Sequence, residues 1–162
     1  MSDTTTAPAA ADAATQAALE RLNTVIDRLI APDGCPWDST QTPESLTEYV
    51  IEECHELVDA IRSGKTADMV EELGDVAFLI LLIGKLMARA GGPSLADALE
   101  VEAAKMVRRH PHVFSDTTYE SQSEQLKDWD RIKREEKAAA DAEGPKGTYD
   151  SLPRGLPPLT KA

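Results

Sequence analysis

Basic residues are in short supply. Seventeen Lys and Arg face 29 Asp and Glu, so the formal charge is −12. A field of that sign repels phosphate backbones and excludes general binding to nucleic acid polymers. Aromatic residues make up only 4% of the chain, which favours helices over a β-sandwich built from short Tyr- and Phe-rich strands. Cysteine is limited to Cys35 and Cys54, too few for a disulfide framework and without a zinc-binding pattern. Such usage suits a reducing cytosol. The opening residues, MSDTTTAPAAADAAT, contain neither a basic nor an apolar region of a secretory signal. The longest apolar run, Val76 to Gly84, reaches about half the length that spans a bilayer. These absences together point to a cytoplasmic protein with no membrane partner.

What is present is helical periodicity. The 162 residues correspond to one domain. Residues 1–14 are mostly Ala and Thr with nothing to bury, and are expected to be disordered. From Thr15 the apolar positions Leu19, Leu22, Val25, Ile26, Leu29 and Ile30 predict a first helix. Pro32-Asp33-Gly34 ends it, and Thr42-Pro43 predicts the start of a second helix that runs to about Arg62. A third is expected from a cap at Asp68 to Arg89, and a fourth from Ser94 with Asp97 to Arg109. A fifth, more polar helix spans Ser123 to Ala140. The expected organisation is a helical domain over 15–140 and a Pro- and Gly-rich tail or linker over 141–162. The fold class is all-α, a bundle of four to five helices.

The acids carry the functional reading. In the second helix Glu52, Glu53 and Glu56 fall within about a 100° arc. Leu46, Val50, Cys54, Leu57 and Ile61 lie largely opposite, with Glu53 at the border. In the third, Glu72 and Asp75 extend a stripe that continues as Val76, Leu79, Ile80, Ile83 and Leu86. Phe78, Leu81 and Leu82 cover its other side, so the middle of this helix is expected to be enclosed all round. Carboxylates withdrawn from water need a partner or a metal. Glu72 and Asp75 could instead sit wet at a helix start, favoured by its dipole. If both helices aim their acids into one pocket, the site suits a hard divalent cation such as Mg2+. Glu52-x-x-His55 also matches one step of a di-iron bundle, but the second step is missing.

Glu52-Glu53-x-x-Glu56, fifteen intervening residues and Glu72-x-x-Asp75 resemble the EExxE…ExxD signature of the MazG family of all-α nucleoside triphosphate pyrophosphohydrolases. The flanking Gly34-Cys35-Pro36-Trp37-Asp38 and Gln41-Thr42 resemble the same family. So do the stretch from Lys105 through Arg108-Arg109-His110-Pro111-His112 to Phe114, and Trp129 with Ile132-Lys133 and Glu135-Glu136. The resemblance covers about residues 17–138 and is to the first domain of two-copy members.

That resemblance implies Mg2+-dependent hydrolysis of NTP or dNTP to NMP and pyrophosphate, for house-cleaning or nucleotide-pool control, with Mn2+ as a substitute metal. It makes Glu53, Glu56, Glu72 and Asp75 the metal ligands and Glu52 the residue that orients or deprotonates water. Lys105 and Arg109, one turn apart, become the phosphate ligands. The alternative is a catalytically weak or inactive MazG-like module for dimerisation or nucleotide binding, because this copy resembles a first half and stops where a second begins. On either reading the apolar Val76–Ile83 stretch predicts a homodimer or larger homo-oligomer whose shared core completes the bundle.

Overall fold

The computed structural model describes residues 6–140 and is all-α there. Its helices are α1 (Thr6–Leu29), α2 (Thr47–Ser63), α3 (Thr66–Arg89), α4 (Leu95–Arg109), α5 (Pro111–Phe114) and α6 (Gln122–Ala140), with a 3-10 turn at Asp38–Thr40. Six helices therefore replace the four or five expected; the extra one is the single turn α5, too short to show periodicity. The chain divides into two compact units, Met1–Leu99 and Glu100–Ala162, with the division inside α4. The expected tail, 141–162, lies outside the described residues, as do residues 1–5.

In the first unit α3 packs against α2 and α1. The core consists of Ile26, Ile30, Leu46, Leu79, Leu81, Leu82 and Leu86, flanked by Leu22, Val50, Phe78, Ile83 and Leu95. Ile26, Leu46 and Leu82 are fully enclosed; burying such a side chain contributes about 1.5–3 kcal/mol. The two-residue link Gly64-Lys65 folds α2 and α3 into an antiparallel hairpin. Gly64 adopts φ 71° and donates its N–H to the Ile61 carbonyl at 3.3 Å, the left-handed ending for which Gly has no steric cost. Close approach is the requirement at buried Gly84, where an added Cβ would stand 2.7 Å from the Leu95 Cβ.

Several local expectations change. The first helix starts at Thr6 rather than Thr15, so residues 6–14, expected to be disordered, are helical. Alanine has the highest intrinsic helix propensity and extends a helix without tertiary anchors. Thr42 does cap Ser45, its Oγ1 accepting the Ser45 N–H at 3.3 Å while Ser45 Oγ accepts the Thr42 N–H at 3.0 Å. The capped segment is a separate turn, however, and α2 begins at Thr47 behind buried Leu46. Asp68 does not cap α3, which begins at Thr66 after an extended Lys65; Asp68 sits in the first turn, 3.5 Å from the Lys65 ammonium. Ser94 and Asp97 form the expected reciprocal cap, with Ser94 N–H to Asp97 Oδ2 at 2.7 Å and Asp97 N–H to Ser94 Oγ at 3.2 Å.

The apolar faces are also incomplete within one chain. Cys54 and Ile61, read as part of the buried face of α2, are exposed, while Ala60 is buried instead. The middle of α3 is not enclosed all round, because Ile80 remains 48% exposed. Val70 and Leu73 are exposed earlier on α3, as are Ile51 and Val58 on α2. The spacing Val70, Leu73, Ala77, Ile80 marks one stripe of the helix. Among the described residues no helix is long and apolar enough to cross a membrane.

The second unit relies on polar ties. Arg109 donates to Glu136, and His110 Nδ1–H donates to the Met106 carbonyl at 2.7 Å. The His110 ring stands edge-on to Trp129, with centroids 4.8 Å apart. Tyr119 donates to Asp128 Oδ2 at 2.7 Å. The His-Pro-His segment is therefore half-buried between the end of α4 and α6.

Candidate metal centre

The antiparallel hairpin sets the register of the acids. Glu56 and Glu72 each lie about two turns from the Gly64-Lys65 link, on opposite helices, and Glu53 and Asp75 lie one turn further from it. Equal distance from the link puts each pair at the same height. Glu53, Glu56 and Glu72 accordingly each offer one carboxylate oxygen, and these atoms lie within 4.8 Å of one another. Glu53 and Glu72 are half-buried; Glu56 is exposed.

No Lys, Arg or His among the described residues forms an ion pair with any of these three acids. Desolvation raises the pKa of Glu53 above the usual carboxylate value, and the charges of Asp75, Glu56 and Glu52 raise it further. The same cause leads at Glu72, reinforced by Glu56, Glu53, Glu71 and Asp75. Glu53 and Glu72 thus each feel the charges of carboxylates on both helices. A cavity of about 280 Å³ adjoins them, lined by Glu56, Asp59, Ala60, Ser63, Lys65, Asp68 and Glu72. Its only cation, Lys65, is turned to Asp68.

The expected site residues separate into groups. Glu53, Glu56 and Glu72 converge. Asp75 is exposed and outside the three-oxygen group, although its charge is felt at Glu53. Glu52 is exposed on α2, also outside the group. His55 is exposed and contributes nothing to the acidic group, which leaves the di-iron pattern without support. In the second unit Lys105 pairs with Glu102 one turn away, and Arg109 is held by Glu136. Sequence reasoning missed the Glu136 tie, since 27 residues separate the partners and no periodicity links them. Trp37, on the first unit's loop, packs edge-on against Tyr49 with centroids 5.6 Å apart.

An acidic cluster with hard oxygen donors on a helical hairpin is an arrangement of the kind that could hold a divalent cation in an all-α protein. The MazG nucleotide pyrophosphohydrolase domain family matches residues 41–114, which include all four acids. The chain is 37% identical over 145 residues to the nucleoside triphosphate pyrophosphohydrolase of Escherichia coli, covering 89% of this chain and 54% of that protein. It is 42% identical over 138 residues to the uncharacterized protein YabN of Bacillus subtilis, covering 85% of this chain and 27% of YabN. The crystal structure of a mazG-related protein from Thermotoga maritima superposes with a TM-score of 0.60 at 30% identity, over 71% of this chain and 98% of that one. The chain belongs to the MazG nucleoside triphosphate pyrophosphohydrolase family and has its fold. It spans about half or less of the length of these curated relatives.

Proposed function

We propose that this chain is a Mg2+-dependent nucleoside triphosphate pyrophosphohydrolase, converting NTP or dNTP to NMP and pyrophosphate in house-cleaning or control of the nucleotide pool. The observation that carries the reading is the convergence of Glu53, Glu56 and Glu72 without a cationic partner. The family relationship, including the named activity of the Escherichia coli relative, supports it.

The donor set fits the ion. Oxygens on Mg2+ stand about 3.0 Å apart when adjacent and about 4.2 Å when opposite, from bonds of about 2.1 Å. The three carboxylate oxygens, within 4.8 Å of one another, would draw closer by side-chain rotation to share one ion. Glu53, Glu56 and Glu72 would hold the ion, with Asp75 completing the set. Bound metal would neutralise phosphate oxygens and lower the pKa of water. Glu52 would orient that water or take its proton. Because Glu53 and Glu72 have raised proton affinity, a metal held there would compete with protons for the same oxygens.

Lys105 and Arg109 supply positive charge for the triphosphate, as α4 presents both one turn apart. A phosphate must compete there with Glu102 and Glu136. Self-association to a homodimer or higher oligomer belongs to the same reading. Exposed Val70, Leu73 and Ile80 on α3, and Ile51, Val58 and Ile61 on α2, support it. A cytoplasmic location completes it.

The test is a panel of NTPs and dNTPs incubated with Mg2+ and examined for NMP and pyrophosphate. Products are expected with at least one substrate, and their absence across the panel rejects the activity. Retention of nucleotide without products would establish the binding-module alternative. Glu53→Ala and Asp75→Ala are each expected to abolish turnover while leaving helix content intact by circular dichroism. Full activity in either variant removes that residue from the mechanism.

A further inference from the structure

Arg109 is held more firmly than a helix-terminal cation needs to be. Its Nε and Nη2 both donate to Glu136 Oε2, at 2.9 and 2.7 Å, while Arg108 Nε donates to Oε1 of the same carboxylate at 3.0 Å. The guanidinium carbon lies 5.6 Å from the centre of the Trp129 ring, which backs one face of the cation. The Arg109 and Glu136 side chains are 16% and 21% exposed, whereas Arg108 is 55% exposed. The carboxylate therefore accepts two hydrogen bonds from the largely covered Arg109 and one from the more exposed Arg108. An arginine carries five N–H donors. Glu136 takes Nε–H and one Nη2–H, and the three that remain form the end of the fork, the geometry that grips phosphate oxygens in pairs.

We propose that Glu136 is the positioning residue for Arg109, holding its guanidinium with the free end of the fork presented to a triphosphate. This rests on the reading that Arg109 is a phosphate ligand. Glu136 touches no substrate; it acts by removing the rotamer freedom that Arg109 would otherwise lose on binding.

The experiment uses the full chain and inorganic tripolyphosphate with Mg2+, so that base preference plays no part. Calorimetric titration is expected to show Glu136→Gln weakening tripolyphosphate binding roughly tenfold. In turnover assays the same variant raises KM for NTP with kcat unchanged. On an Arg109→Ala background Glu136→Gln has no further effect on either readout. Arg109→Lys, which keeps the charge and loses the fork, shows the same weakening and is equally insensitive to Glu136→Gln. Tighter binding in Glu136→Gln overturns the proposal, because Glu136 would then be a competing anion. Equal loss with and without Arg109 also overturns it, because Glu136 would then be a strut between α4 and α6. Absence of products in the unmodified chain rejects the proposed activity alone, since the tripolyphosphate titration still reports whether Glu136 acts through Arg109. No tripolyphosphate binding at all rejects the positioning role.

Discussion

Replacing Glu53 by Gln tests the acidic cluster in two conditions with opposite expected signs. Two unit charges at the 4.8 Å limit of the cluster repel by about 0.9 kcal/mol in water, and salt reduces this to about half. Glu53 faces two such neighbours in Glu56 and Glu72. Removing its charge should therefore stabilise the metal-free chain at pH 7 by about 1 kcal/mol, or about 2–4 °C in Tm for a chain of this size. With Mg2+ at a hundredfold its Kd, the unmodified chain gains about 2.7 kcal/mol by linkage, roughly 5–11 °C. Glu53→Gln should lose most of that gain.

The pH dependence follows from the same charges. A carboxylate whose folded pKa is raised binds its proton more tightly when folded, so it destabilises the fold above the unfolded value of about 4.5. Metal-free stability should rise as pH falls from neutral through the raised pKa values of Glu53 and Glu72. Glu53→Gln should diminish this acid-side gain. Thermal melts in chelator and in Mg2+, across pH 4.5 to 7.5, measure both effects. If Glu53→Gln destabilises the metal-free protein and leaves the Mg2+ shift intact, the three oxygens share no cation and the proposed mechanism fails.

Other outcomes follow from the packing and the caps. Gly84→Ala drives a methyl to 2.7 Å from the Leu95 Cβ, and the resulting overpacking should cost about 1–3 kcal/mol in a urea melt; a neutral result would show that α4 shifts freely at that point. Ser94→Ala removes an oxygen that accepts the Asp97 N–H at 3.2 Å and should cost about 1 kcal/mol. The Asp97 pKa is lowered chiefly by the Ser94 hydroxyl, so this cap stabilises above the unfolded Asp value and weakens as pH falls through the lower folded one. In Ser94→Ala that acid sensitivity should shrink. Ile80→Asp places a charge on the exposed stripe of α3; sedimentation should show loss of self-association with helix content preserved, whereas an unmodified chain that is already monomeric refutes the expectation.

Much of this protein is written in short-range order. Apolar positions at helical spacing, Gly64 and Gly92-Pro93 as terminators, and Ser94 with Asp97 as a cap are local signals, since a helix is closed by bonds spanning four residues. The grouping of Glu53 with Glu56 on one helix, and of Glu72 with Asp75 on the next, is legible for the same reason. Tertiary structure decided the rest. Which acids meet depends on how α2 and α3 are rotated against each other, and the packing around Leu46 and Leu82 sets that rotation. It brings Glu72 to Glu53 and Glu56, leaves Asp75 outside the three-oxygen group, and exposes Cys54 and Ile61, which the period alone assigns to the buried face. The clamp of Glu136 on Arg109 joins α6 to the end of α4. It has no counterpart in the local pattern, because contacts between distant residues are selected by packing and complementary charge, which no helical period encodes.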